Sequence, residues 1–317
     1  MNVQLYLCAG LSFLISVIIT PILIPLLKKM KVRQVIREVG PKWHKGKGGT
    51  PAMGGIAFLI STLVISLIFC KQPEVRAGIV AVTCFGLIGF LDDFIKIAMK
   101  RNLGLNEKQK LILQILVSVV FLIYCVNKGF VSTQLSVPFT NLTFELSWFY
   151  IVFAGVFMVG FVNAVNLTDG LDGLAASVTI LVTAFFAVAS VIMGRDELSY
   201  FSASITGGLI GFLIYNYNPA KIFMGDTGSL FLGGAVSVIA ILNKMELLLL
   251  LVGIIYLVEA LSVMIQVSYF KLTGKRVFLM APIHHHFEMK GLREKKIVFL
   301  FSLITLIACI IAIFAIL

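Results

Sequence analysis

Apolar runs of about 20 residues follow one another along almost the whole chain, at about 4–27, 52–70, 77–95, 111–127, 148–165, 174–193, 201–217, 228–243, 247–270 and 297–317. A helix needs about that many residues to cross the hydrocarbon core of a bilayer. No polar stretch between the runs is long enough to build a water-soluble domain, and no internal repeat is evident. The expectation is an all-α polytopic membrane protein with about ten transmembrane helices, forming one integral-membrane domain over residues 1–317. Composition agrees: 59% of residues are hydrophobic and 13% charged, against about 25% charged in soluble domains. Disorder, collagen-like fibres and disulfide-stapled secreted domains are excluded by the same balance. The five cysteines lie in or at the ends of apolar runs without paired spacing, as small buried hydrophobes do. No basic segment precedes the first run, so that span is expected to be retained rather than cleaved as a signal.

Charge then orients the spans. The net charge is +11, and 21 of the 26 Lys and Arg fall in alternate connections: 28–51, 96–110, 166–173, 218–227 and 271–296. The positive-inside rule puts that set in the cytoplasm and both termini outside. Nucleic acid is not the expected partner of such a chain. An anionic leaflet or a polyanionic substrate is. Asp92, Asp93, Asp169, Asp172 and Asp226 gather on the same cytoplasmic face, leaving only Asp196 outside. Carboxylates near bilayer depth are costly and usually line a cavity or pair. Set among so many cations, these five suggest a magnesium and phosphate site at the cytoplasmic interface.

Four motifs carry the polar chemistry. Asp92-Asp93-Phe94-Ile95-Lys96 ends the third run. Adjacent aspartates point about 100° apart on a helix, whereas Asp92 and Lys96 share a face. The segment reads equally as an interfacial helix end with a local ion pair. Asn163 and the run Asn166 to Leu174 place Asp169 and Asp172 in a glycine-bearing turn without any Lys or Arg, an arrangement that suits close backbone approach to a ligand. Asn216 precedes Gly225-Asp226-Thr227-Gly228-Ser229, where Asp226 is either a helix cap or part of an anion and metal site at a helix start. Pro282-Ile283-His284-His285-His286-Phe287-Glu288 lies among Lys271, Lys275, Arg276, Lys290 and Arg293. Consecutive histidines do not have the spacing of a zinc site and fit donors to a diphosphate better. The glycine-rich segment Lys45 to Gly55 lacks Walker spacing. Glu259, within the ninth run, either pairs inside the bundle or relieves a bend there.

Taken together, in this order and on ten spans, these motifs closely resemble the polyprenyl-phosphate N-acetylhexosamine-1-phosphate transferases. The likeness covers essentially the whole chain. Within that family the Ala281 to Glu288 segment resembles the branch that transfers phospho-N-acetylmuramoyl-pentapeptide, the lipid I step of peptidoglycan synthesis. A Thr-Pro-Thr-Met-Gly-Gly run is usual in the family, whereas this chain has Thr50-Pro51-Ala52-Met53. The resemblance implies a Mg²⁺-dependent enzyme of the bacterial cytoplasmic membrane, a homodimer, with UDP-MurNAc-pentapeptide and undecaprenyl phosphate as substrates and UMP as product. It implies Asp226 as the metal ligand, and Asp92, with Asp93 beside it, as the group that deprotonates or orients the lipid phosphate. Lys96, Lys108 and Lys47 would neutralise phosphate charge. Asn163, Asn166, Asp169 and Asn216 would contact uridine, diphosphate or the metal shell. Asp172 either touches substrate or shapes its turn. His284, His285 and His286 with Glu288 would hold the nucleotide-sugar.

Three rival readings are open to such a sequence. One is a relative that uses UDP-N-acetylglucosamine or a wall-polymer sugar. Another, from a different class, is a cation or phosphate transporter, which would spread its charges to mid-membrane depth. A CDP-alcohol phosphotransferase would need an aspartate spacing that this chain lacks.

Overall fold

A computed structural model describes residues 3–30, 49–99 and 104–317. Its elements run α1 (Val3–Lys29), α2 (Gly55–Phe69), α3 (Pro73–Ala98), α4 (Glu107–Asn127), β1 (Gln134–Ser136), β2 (Thr143–Glu145), α5 (Phe149–Thr168), α6 (Leu174–Ile192), α7 (Asp196–Asn216), α8 (Gly225–Asn243), α9 (Glu246–Val252), α10 (Ile254–Thr273), α11 (Ile283–Met289) and α12 (Glu294–Ile313). Among the described residues, nine helices are long and apolar enough to cross a membrane. The protein is an all-α polytopic membrane protein.

Three features depart from the expected pattern of spans and connections. The second run is a helix of only 15 residues, α2, which reaches about 22 Å at 1.5 Å per residue. Its start is cut short because the preceding chain pairs through its backbone with the segment before α8. The N–H of Phe223 donates to Pro51 O (2.9 Å), that of Gly54 to Phe223 O (2.8 Å) and that of Gly55 to Met224 O (3.0 Å). The ninth run divides at Gly253 into α9 and α10. The connection between α4 and α5 carries a small antiparallel hairpin, with Leu135 opposite Phe144.

The bundle is organised around α8, whose apolar window is 89% buried. Helices α2, α3, α5, α6 and α7 pack against it. Between helices in lipid, packing rather than hydrophobic exclusion drives association, and small residues permit close approach. Gly89 on α3 is the decisive case. A Cβ there would lie 2.1 Å from the carbonyl oxygen of Asp226 and 2.7 Å from the backbone nitrogen of Thr227. Only glycine lets α3 sit this close to the start of α8, and that contact sets the distance between Asp92-Asp93 and Asp226.

By contrast, α10 stands largely outside the bundle, with 22% of its window buried. The chain after it turns back along its side: Gln266 Oε1 accepts from the N–H groups of Val277 (3.1 Å) and Phe278 (2.9 Å). This return brings the short helix α11, with its three histidines, to the bundle.

Candidate active site

Asp92 and Asp93 near the end of α3 and Asp226 in the first turn of α8 form one cluster. Each offers an oxygen, and these oxygens all lie within 4.8 Å of one another. Lys96 Nζ sits among them, 2.5 Å from Asp92 Oδ2, 3.1 Å from Asp226 Oδ2 and 3.5 Å from Asp93 Oδ1. Lys110 Nζ reaches Asp226 Oδ2 from α4 at 2.7 Å. From α5, the Asn166 amide donates to Asp226 Oδ1 (2.9 Å) and Ser229 Oγ (2.7 Å).

The three carboxylates differ in employment. Helix α8 has no side-chain cap of its own at Met224. Asp93 supplies one from α3, accepting from the Thr227 N–H (2.9 Å) and hydroxyl (2.8 Å), which satisfies an orphan donor at the positive end of the helix. Asp92 Oδ1 accepts from the Leu105 N–H at 2.9 Å, pinning the segment before α4. Both side chains are buried. Asp226 is the most open of the three, its side chain 21% exposed. It is held by side chains that can move rather than by backbone. All ionised, three carboxylates and two ammonium groups leave one net negative charge. An all-oxygen donor set with that surplus suits a hard divalent cation.

Lys110, rather than Lys108, meets Asp226, and a capping box decides this. Asn106 Oδ1 accepts from the Gln109 N–H (2.7 Å) while Gln109 Oε1 accepts from the Asn106 N–H (3.1 Å). Such a pair fixes where a helix begins. With α4 starting at Glu107, Lys110 turns inward, and Lys108, two residues earlier, is exposed. The residue missed in the sequence was thus recoverable from Asn106-x-x-Gln109 and helical phase. Lys47 lies outside the described residues.

The turn after α5 adds Asp169, whose carboxyl is held well above the usual range. Loss of water is the first cause, followed by the charges of Asp226, Asp93 and Asp172. Asp172 itself is buried and accepts from the Ala220 N–H (3.0 Å) and the Asn218 amide (3.1 Å). Asn216 accepts from the Gly173 N–H (3.1 Å) and donates to Ile222 O (2.9 Å). These two side chains therefore tie the turn to the segment before α8. Asn163 lies one turn back on α5 and donates to Gln114 Oε1 on α4 at 2.7 Å.

In α11 each histidine has a polar neighbour at Nδ1. His284 Nδ1 lies 3.0 Å from Glu259 Oε1, which places the intramembrane carboxylate in a pair. His285 Nδ1 lies 2.6 Å from Glu288 Oε2. His286 Nδ1 accepts from the Leu279 N–H at 3.1 Å, so its neutral ring carries the proton on Nε2. Burial and then Lys290 hold the His286 ring below the usual imidazole range, which favours that neutral form. His284 Nε2 faces the Asp169 turn. A Cβ on Gly170 would lie 2.2 Å from it. Gly170→Ala is therefore expected to overpack the turn and destabilise the protein by about 1–3 kcal/mol. Thermal denaturation in detergent measures this, and an unchanged midpoint would mean that the ring moves aside freely.

Residues 75–244 match the profile described as glycosyl transferase family 4, a stretch holding all three clustered aspartates, both lysines, Asn166 and the Asp169 turn. The chain belongs to glycosyl transferase family 4. Relatives over nearly the full length are called phospho-N-acetylmuramoyl-pentapeptide-transferase. The one from Caldicellulosiruptor bescii is 48% identical over 313 residues, 98% of this chain and 97% of its own. That from Clostridium kluyveri is 49% identical over 303 residues, covering 95% and 96%. That from Acetivibrio thermocellus is 51% identical over 311 residues, covering 96% and 93%. The family 4 match ends at residue 244, before α10 and α11, whereas the matches to these relatives extend over nearly the whole chain.

Proposed function

We propose that the protein transfers phospho-N-acetylmuramoyl-pentapeptide from UDP-MurNAc-pentapeptide to undecaprenyl phosphate, forming lipid I and UMP, in the bacterial plasma membrane. The observation that carries this reading is the carboxylate and lysine cluster at the ends of apolar helices, in a chain about half identical to transferases so named. A phosphate-bearing lipid and a charged cytosolic nucleotide can meet only at an interface. The charge distribution supports a cytoplasmic setting for this end of the bundle, and residues 1–317 would act as one domain. A transporter is not favoured, because the charges gather at one end instead of lining a path.

In a direct reaction, an oxygen of the lipid phosphate attacks the β-phosphorus of the UDP-sugar. A new P–O bond forms as the bond between the bridging oxygen and the β-phosphorus breaks, and the electron pair leaves with UMP. Phosphoryl transfer of this kind is mostly positioning and charge neutralisation. Asp226, with Asp92 and Asp93 beside it, would hold Mg²⁺, which neutralises charge on the diphosphate and the departing UMP. Lys96 and Lys110 stand where phosphate oxygens would be received, and Lys108 and Lys47 would add to the neutralisation of phosphate charge. Asp92 orients the lipid phosphate. Asn166 aligns Asp226, while Asn163, Asp169, Asp172 and Asn216 shape or line the uridine and diphosphate side. His285, His286 and Glu288 bind the nucleotide-sugar, with His286 Nε2–H as a donor.

The direct test supplies purified protein with undecaprenyl phosphate, Mg²⁺ and either UDP-MurNAc-pentapeptide or UDP-N-acetylglucosamine, and measures UMP. Release with the first sugar alone, abolished by EDTA and restored by Mg²⁺, is expected. Equal or preferential turnover of UDP-N-acetylglucosamine would defeat the substrate assignment. Crosslinking in native membranes tests the homodimer that the resemblance implies.

A further inference from the structure

Between Ile254 and Phe270, Glu259 is the only charged residue of α10. It stands seven residues before Gln266, two turns away on the same face of the helix. Both hold the returning chain. Gln266 takes the N–H groups of Val277 and Phe278, and Glu259 meets His284. From Thr273 back to the level of Glu259 is 14 residues of helix, or about 21 Å. The histidine loop therefore runs back along α10 with a polar contact near its start and another at its far end. At that far end His284 is clasped on two sides, by Glu259 at Nδ1 and by Gly170 of the Asp169 turn at Nε2. The side chains are 1% and 0% exposed. Among the described residues, neither the carboxylate oxygens of Glu259 nor the ring nitrogens of His284 have a hydrogen-bond partner, and the 3.0 Å approach of Nδ1 to Oε1 is the polar contact that joins them. The His284 and His285 rings lie 4.2 Å apart, centroid to centroid, so the position of one constrains the other. A carboxylate this deep in an apolar helix is costly without a partner.

We propose that Glu259 is a positioning residue of the active site: acting through His284, it seats the histidine loop against the Asp169–Gly173 turn, while Gln266 holds the loop's other end. His284 is then a strut, closed from solvent on every side, and His285 and His286 are the rings offered to substrate. This rests on the reading of His285, His286 and Glu288 as nucleotide-sugar contacts.

The seating is measured without turnover by treating the intact protein in detergent with diethyl pyrocarbonate and locating the modified histidines by peptide mass spectrometry. In the wild type, His284 is expected to be protected while His285 and His286 react. In E259A, modification of His284 rises to the level of His285, and E259Q, which keeps an oxygen in place, retains most of the protection. Q266A lies on the half-exposed part of α10 and is expected to raise His284 modification as well, which carries the test should E259A not fold. Free reaction of His284 in the wild type, or full protection in both E259A and Q266A, overturns the proposal.

Activity gives the second arm. E259A and H284A should each lower kcat/KM for the UDP-sugar by about 10–100-fold, chiefly through KM, as loss of a supporting contact does. The double variant should be no worse than the poorer single, since both remove one interaction. Losses that multiply would show that Glu259 does not act through His284. Absence of UMP release by the wild type would instead defeat the proposed reaction, leaving the modification pattern to decide the seating.

Discussion

Asp226→Asn is expected to lower UMP release by at least about 10³-fold, the scale of removing one preorganised electrostatic group from a transition state, while leaving the protein monodisperse and its melting midpoint close to wild type. The two halves of this expectation come from different atoms. Asn keeps the shape of the side chain, and Asp93 rather than Asp226 caps the first turn of α8, so the helix start survives. What disappears is the surplus negative charge of the cluster. Lys96 retains Asp92 at 2.5 Å, but Lys110 loses the carboxylate at 2.7 Å that it faces. The site becomes neutral, and one of the two oxygens of its most open carboxylate is replaced by an NH2 group. Turnover within about tenfold of wild type, with an unchanged requirement for Mg²⁺, would remove Asp226 from the metal site, since a lost charge-bearing ligand costs far more than one decade.

Gly89→Ala should damage stability and catalysis together. Its new methyl would fall 2.1 Å from a carbonyl oxygen and 2.4 Å from the carbonyl carbon of Asp226. Backbone atoms cannot rotate out of the way, so α3 and α8 must separate. Overpacking of this kind costs about 1–3 kcal/mol. The functional cost is larger, because separation draws Asp92 and Asp93 away from Asp226, and a displacement of roughly 1 Å in an assembled site costs about 10²-fold in rate. Thermal unfolding and initial rates on the same preparation measure both effects. A variant that melts lower but turns over normally would show that the helix contact supports the fold without setting the cluster's geometry.

Much of the architecture was legible because its signals are local. A span declares itself by length and apolarity, and carboxylates at helix ends stand out against such a background. Asp92, Asp93 and Asp226 could therefore be named before their meeting was seen, as could Lys96, whose i, i+4 relation to Asp92 needs only a helix. What stayed hidden depends on distant partners. The brevity of α2 follows from backbone pairing with Phe223 and Met224, which no window around residue 55 reveals. The choice of Lys110 over Lys108 turned on a capping box beyond the apolar pattern. Glu259 could not be assigned between pairing and bending because its partner arrives only when the chain folds back along α10. His284, read alongside its neighbours, was set apart by burial that three identical letters do not convey.

The contact between Lys96 and Asp226 joins residues 130 positions apart, and Asp93 reaches Thr227 across 134. During synthesis, α3 emerges long before α8 and carries two aspartates and one lysine with no distant partner in place. The i, i+4 pair of Asp92 and Lys96 lets it enter the bilayer with one of those aspartates already answered. The other waits for a helix start made only after four further helices. Chains released before residue 226 could still insert several spans, yet would lack both the capped helix and the third carboxylate. Catalytic competence thus arrives late and in one step, as a report that the outer helices have closed around the central one.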